Sequence, residues 1–592
     1  MDAVRPEIRG TFGAVGSTHW IASHVGMAMM ERGGNAADAA VAAGFTLQVV
    51  EPHQNGAGGD VPIIVQDAGG DARVICGQGP APQGATIAAY RALGIELIPG
   101  TGLLPAVVPG AFDAWMILLR DHGRMSLREV LEPAVAYARD GFPVSFTLSR
   151  YIDTVRDLLA ETWPESGKVY LRDGKAPAPG TLMRNEGLAA TYARLIDEAE
   201  AAGGDREAQI EAARDVYYRG FIAEAIGRFA EKPAPDGAGR SDRAFLTADD
   251  MARWRALVEA PATIDYHGYT VIKTGPWGQG PVALQTLAIL EGIDLASMDP
   301  NGPDFVHVLT EAMKLTMADR EAYYGDPDFF DVPLAALLDP GYAAARRAEI
   351  GAAAMIELRP GQIGATPPRL PRIVLEGSRV TAPIAPGGGE PNAALAREMA
   401  GDTANVNTVD REGNMVSAMP SGGWLQSSPV IPELGFCLGT RAQMFWLEEG
   451  LPASLAPGAR PRTTLTPGLC LRDGKPYMAF GSPGGDSQDQ WALQLFLRHV
   501  HHGMDLQESI DAPAFQSDHA PSSFYPRDAK PNHLQVESRF GKKTIDELKR
   551  RGHEIEDVGP WTLGRLSAVA KDGAVIRAGA SVRNRSGCAA GR

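Results

Sequence analysis

Between Ser17 and Pro52, apolar and small residues recur at helical spacing in ASHVGMAMMERGGNAADAAVAAGFTLQVVEP. This predicts two alanine-rich helices broken at Gly33-Gly34, with Asn35 placed to cap the second. The methionines here, Met27, Met29 and Met30, follow the helical pattern and read as core filling. EPHQNGAGGD comes next as a tight glycine loop. It lacks the Lys-Ser/Thr of a phosphate loop and follows a helix, so close backbone packing is the better reading.

Further along, Pro109–Gly141 has helical periodicity with Ser126 as a cap, and Asp304–Tyr324 reads as a strong helix ending near Gly325. The pattern changes between Leu358 and Gly401, where seven prolines occur with the run Gly387-Gly388-Gly389. That composition predicts an exposed, mobile segment. TANVNTVD, a turn at REGN and MVSAMPS then read as a β-hairpin. The last 190 residues are rich in such strand patterns, and no solenoid or propeller repeat occurs.

A length of 592 residues gives a prior of about four domains, with one large interwoven unit as the alternative. Hydrophobic residues at 44% and charged residues at 22% are the proportions of a packed globular protein. The net charge of −16 would repel a phosphate backbone, which disfavours nucleic acid and anionic membrane surfaces as partners. Cys76, Cys437, Cys470 and Cys588 are spread without a C-x-x-C pair, which argues against a disulfide framework and a structural zinc. No basic start leads into an apolar run at the N-terminus and no apolar run reaches membrane length, so a cytoplasmic location is the expectation.

Drawn literally, the hairpin pairs Asp410 with Met415, so Thr403 lies opposite Gly422 with Ser421 beside it. Two adjacent hydroxyls at the head of a strand, behind a segment open to cutting, suit an N-terminal nucleophile. Cleavage between Asp402 and Thr403 would free an α-amine with a pKa of about 7.7–8.0, able to serve as the threonine's own base. Local sequence alone favours the plainer reading, that Thr403 simply starts a strand, as β-branched threonine often does.

Several blocks together resemble the γ-glutamyltransferase family of Ntn hydrolases across nearly the whole chain. They are GGNAADAAVAAG with EPHQNGAGGD, VPGAFDAW, LTADDMARWRA with HGYTVIKTGPWGQG, EAMKLTMADREAYYGDPDF and DTANVNTVDREGNMVSA. ARPRTTLTP and FGSPGGDS resemble the substrate-loop and oxyanion blocks. The resemblance implies an α+β fold, a four-layer αββα sandwich with a helix-rich N-terminal portion. It implies a precursor that cuts itself at Asp402/Thr403 into associating fragments, 1–402 and 403–592, with 357–402 as a mobile linker before the cut. It also implies Thr403 as nucleophile, Ser421 as its assistant, Gly484 and Gly485 as oxyanion donors, and no metal or organic cofactor. Two successive glycine N–H groups can approach a tetrahedral oxyanion closely, although SPGG alone would read as a turn.

The substrate clamp departs from the family pattern. The arginine that holds the γ-glutamyl carboxylate is matched by Gln78, and the positions that grip the α-amine by Gly423, Arg441 and Met444. Thr463 and Thr464 keep the hydroxyl pair in kind. Arg441 would repel an ammonium and suits an acid group on a glutaryl-like or oxamate-like acyl chain; a surface arginine on a loop is the other reading. The implied function is cleavage of γ-glutamyl-type amides, as in glutathione, with transfer of the acyl group to water or an amine. The alternatives are an acylase for another acyl group and a non-catalytic binding protein with the same fold. His499, His501 and His502 in RHVHHG do not share one helical face, and no acidic or cysteine ligand set accompanies them as for a metal.

Overall fold

The computed structural model describes residues 4–365, 367–376, 403–583 and 585–592. Its centre is a pair of seven-stranded sheets whose neighbouring strands are all antiparallel. One sheet runs Cys588–Gly591, Gly13–Ser17, Val406–Asp410, Met415–Ala418, Val61–Gln66, Arg73–Gly77, Leu257–Glu259. The other runs Ile8–Gly10, Val575–Ala580, Ser567–Asp572, Lys475–Gly481, Gly468–Arg472, Tyr269–Lys273, Ala262–Tyr266. Both sheets draw strands from before and after Thr403, so the two sides of that residue share one fold.

The inner faces meet in a core that includes Ile64, Val74, Val409, Met415, Leu469, Ala479 and Val569. Alternate residues of the same strands face outward: Val61, Ile63 and Val65 pack against the helices Ala36–Val50 and Ala111–His122. On the other sheet, Val271, Cys470 and Met478 meet the helices Pro281–Leu290, Pro303–Tyr323 and Gln488–His502. The layers are therefore helix, sheet, sheet, helix. Burial on both faces explains why VPIIV, residues 61–65, is a continuous apolar run instead of alternating.

The helix signals hold locally. Trp20–Glu31 and Ala36–Val50 flank Gly33-Gly34, and Asn35 forms a capping box with Asp38. Ser126 does the same with Glu129 for Leu127–Asp140, and Pro303–Tyr323 is the long helix. Among the described residues no helix is long and apolar enough to cross a membrane.

The hairpin register differs by one residue from the expectation. Val409 pairs with Met415 and Val406 with Ala418, so Thr403 lies directly opposite Ser421 and not Gly422. The cause is the turn: Gly413, at φ 96°, closes a three-residue loop, and Asp410 Oδ1 accepts the N–H groups of Glu412, Gly413 and Asn414. Asp410 therefore pairs with Asn414, where a four-residue turn would have paired it with Met415. Of the linker assigned to 357–402, residue 366 and residues 377–402 lie outside the described residues, as does the cleavage-site residue Asp402. Earlier in that stretch, Gly361 donates to Asp319 Oδ1 at 2.7 Å.

Candidate active site

Thr403 bridges to Ser421, and Ser421 bridges on its other side to Asp60, all antiparallel. Directly opposed residues project to one face, so Thr403, Ser421 and Asp60 form a row whose backbones are about 5 Å apart at each step. Thr403 Oγ1 and Ser421 Oγ are 3.3 Å apart, and Asp60 and Ser421 exchange two backbone hydrogen bonds of 2.9 Å. Thr403 and Ser421 are both buried. The glycine loop makes this contact possible: a Cβ on Gly59 would collide with the Ser421 carbonyl oxygen, and one on Gly58 with that of Cys437. EPHQNGAGGD thus works by close backbone packing, as its sequence suggested.

Asp60 holds Arg441. The Arg441 Nε lies 3.1 and 3.0 Å from the two Asp60 oxygens, and both side chains are almost wholly buried. The guanidinium lies 5.1 Å from the ring centre of Trp424 and 6.0 Å from that of Phe524. Its Nη1 and Nη2 are buried with no hydrogen-bond partner among the described residues. The surface-arginine reading is overturned: Arg441 is 1% exposed because the 3-10 turn Arg441–Met444 is packed inside the fold. Met444 forms a small apolar cluster with Trp424 and Phe524 beside it.

Gly484 and Gly485 have φ of 140° and 52°, backbone conformations that side chains disfavour, and a Cβ on Gly484 would run into the Trp491 ring. Gln488, one turn later, reaches Thr403: its Nε2 is 3.5 Å from Thr403 Oγ1. The first residue of the helix that follows the glycine turn therefore faces the threonine hydroxyl. A cavity of about 300 Å³ opens beside the turn, lined by Gly484, Ser487, Trp491, Phe524 and Tyr525 among others. Phe524 joins this cavity to the wall of the Arg441 site.

The remaining clamp positions are more loosely connected. Gln78 is fully buried; its Nε2 donates to Gly79 O at 3.1 Å, and its Oε1 has no partner among the described residues. Thr464 Oγ1 is likewise buried without one, whereas Thr463 Oγ1 accepts from Leu465 N at 3.3 Å. Gly423 sits at φ 63°, packed against the glycine loop. No described hydrogen bond ties Gln78, Thr463 or Thr464 to Thr403. Asp60, Gln488, Trp424 and Phe524 escaped sequence reasoning, because only the tertiary contacts connect them to Thr403 and Arg441.

Charges around the site are buried and paired. Lys273 Nζ lies 3.1 Å from Asp489 Oδ1 next to Gln488, and burial pushes the Asp489 carboxyl up against the pull of that lysine. Below the strand leading from Thr403, Thr18 N donates to Asn405 O, and Thr18 Oγ1 donates to Glu51 Oε2 at 2.5 Å. Burial pushes the Glu51 carboxyl up to about 7, opposed by Thr18 and Arg565. His499 and His501 contact Tyr477 and Tyr266 separately, at 2.7 and 2.8 Å. His307, Glu311 and His553 do cluster, but the histidines hydrogen-bond one another and Glu311 is held by Lys314 and Met355 N.

Compared with known proteins, residues 22–591 match the family model described as Gamma-glutamyltranspeptidase. The chain is 32% identical over 568 residues to the glutathione hydrolase-like YwrD proenzyme of Bacillus subtilis (strain 168), covering 95% of each. It is 30% identical over 591 residues to the oxamate amidohydrolase proenzyme of Klebsiella pneumoniae subsp. pneumoniae, covering 98% of each. The solved structure of LmbA2991HD superposes with a TM-score of 0.93 at 52% identity over 100% of both chains.

Proposed function

The chain belongs to the gamma-glutamyltranspeptidase family and is an amidohydrolase/acyltransferase, and from that premise we propose that it is a self-processing enzyme whose nucleophile is Thr403. The observation that carries this reading is the opposed pair of buried hydroxyls, Thr403 Oγ1 and Ser421 Oγ, 3.3 Å apart at the head of a strand. Relatives named as proenzymes support a cut before Thr403 into two associated chains. In turnover the freed amine of Thr403 takes the hydroxyl proton, Oγ attacks a substrate amide carbon, and the N–H groups of Gly484 and Gly485 receive the oxyanion. Ser421 holds the nucleophile's orientation. Water or an amine then takes the acyl group.

The acyl donor proposed first is an amide of γ-glutamyl type, bound through its carboxylate. Arg441 favours a second reading, an acyl chain that carries an acid but no ammonium. Its guanidinium is held by Asp60, which lies one strand beyond Ser421, and its two Nη groups have no hydrogen-bond partner among the described residues. A charged nitrogen brought there would be repelled, whereas a carboxylate would complete the arginine's hydrogen bonds. The oxamate amidohydrolase relative supports an acid of this kind, glutaryl-like or oxamate-like.

Denaturing mass analysis of the purified chain tests the nucleophile. The wild type is expected to split between Asp402 and Thr403, while Thr403→Ala stays whole and has no amidase activity. Amidase activity that survives in Thr403→Ala would refute the reading.

A further inference from the structure

Gln488 opens the helix Gln488–His502, directly after the Gly485–Ser487 turn. Its side chain is fully buried, and the two ends of its amide have different partners. Oε1 accepts from Thr466 N at 3.3 Å, which turns Nε2 toward Thr403 Oγ1 at 3.5 Å. A flipped amide would set its NH₂ against the Thr466 N–H, two donors face to face, so the hydrogen-bond pattern selects the orientation. Thr466 is itself clamped. Its hydroxyl donates to Asp489 Oδ1 at 2.8 Å, and Lys273 Nζ reaches that hydroxyl at 3.0 Å. A buried amide is costly unless both ends are used, and the described hydrogen bond of the NH₂ end is the one to Thr403.

We propose that Gln488 is a catalytic donor to the nucleophile oxygen, stabilising the threonine alkoxide whenever Oγ leaves an ester. The inference rests on the reading of Thr403 as nucleophile. Processing has two steps. First, Oγ bonds to the Asp402 carbonyl carbon, the C–N bond breaks, and the hydroxyl proton ends on the Thr403 nitrogen, leaving an ester and a free amine. Then water adds to the ester carbon and the C–Oγ bond breaks with its electron pair going to Oγ. A water proton restores the hydroxyl, and Asp402 keeps the new carboxyl group. Release of an acyl group during turnover repeats the second step. In both cases negative charge develops on the atom that Gln488 Nε2 faces. A fixed N–H in a water-poor site favours that charge over the neutral hydroxyl, and a ground-state contact of 3.5 Å is of the kind that tightens as charge appears.

Processing needs no substrate, so it provides the test on the full-length chain. Gln488→Met keeps the side-chain length and removes both polar ends; Gln488→Glu keeps an acceptor for Thr466 N and removes the donor while ionised. Both variants are expected to process about 100–1000-fold more slowly than wild type at pH 8, the range for losing one such donor. They should also accumulate the ester, seen as whole chain that hydroxylamine splits into a fragment ending in a hydroxamate at Asp402. For Gln488→Glu the rate relative to wild type should rise as pH falls, because the protonated acid again donates. A merely structural role moves neither readout. Wild-type rates in both variants, or a Gln488→Glu ratio flat with pH, would overturn the assignment, and the glutamate variant carries the test if the methionine variant does not fold. A wild-type chain that never splits would instead refute the Thr403 reading on which the assignment stands.

Discussion

Replacing Arg441 by Met separates its structural role from its part in substrate selection. The Asp60 carboxylate, 2% exposed, accepts from Arg441 Nε through both oxygens at 3.1 and 3.0 Å, so the variant removes that cation from beside a buried carboxylate. Breaking one side of a buried pair costs about 3–5 kcal/mol. The effect on substrate is separate. Two Nη groups donating to an acyl carboxylate are worth about 3 kcal/mol together, or about a hundredfold in kcat/KM. The double variant Arg441→Met with Asp60→Asn removes both charges and should regain much of the stability, since replacing a whole buried pair is often near neutral. It should not regain activity on acidic acyl groups. The assays are the urea midpoint of the processed protein and kcat/KM on the p-nitroanilides of glutarate and butyrate, which share an acyl chain but differ in the acid. Equal losses on both anilides would refute the carboxylate role, as would a double variant that recovers the glutaryl activity.

Glu51, pushed up to about 7 from an ordinary 4.5, has a folded pKa above its unfolded one. Its contribution is therefore fully present below about pH 4.5 and lost as pH rises through 7, about 3 kcal/mol in all. Glu51→Gln should flatten the stability profile between pH 5 and 8, measured by urea midpoints at each pH, and an unchanged slope would count against it. Gly59→Ala places a methyl against the Ser421 carbonyl oxygen; a cost of about 1–3 kcal/mol and stalled processing are expected by denaturant titration and intact mass. Restoring a γ-glutamyl clamp with Gln78→Arg and Met444→Asp should raise γ-glutamyl anilide turnover in a folded, processed variant. No gain there would weaken the account of the acyl pocket.

Much of the architecture was legible from local chemistry. The caps at Asn35 and Ser126, the helices they start, the glycine loop and the hairpin all follow from residues within a few positions of one another. The hairpin register did not follow, because it depended on whether Gly413 would take the left-handed conformation and shorten the turn. That single residue moves Ser421 from beside Thr403 to directly opposite it. The proposed site was legible only in part: Thr403, Ser421, Gly484 and Gly485 stand out by block resemblance, whereas their local signals favour a strand start and a turn.

By itself, the sequence determined which segments become helix and strand and which positions carry hydroxyls and glycines, because those depend on short-range periodicity, capping and backbone freedom. Only the tertiary structure decided what Arg441 does. Its local context reads as a loop, but Asp60, 381 positions away, meets it beside Ser421. Gln488 is the same case, since 85 positions separate it from the threonine it faces. Contacts of that kind arise from strand pairing and layer packing across the whole chain, where side chains distant in sequence are brought out of water onto one face.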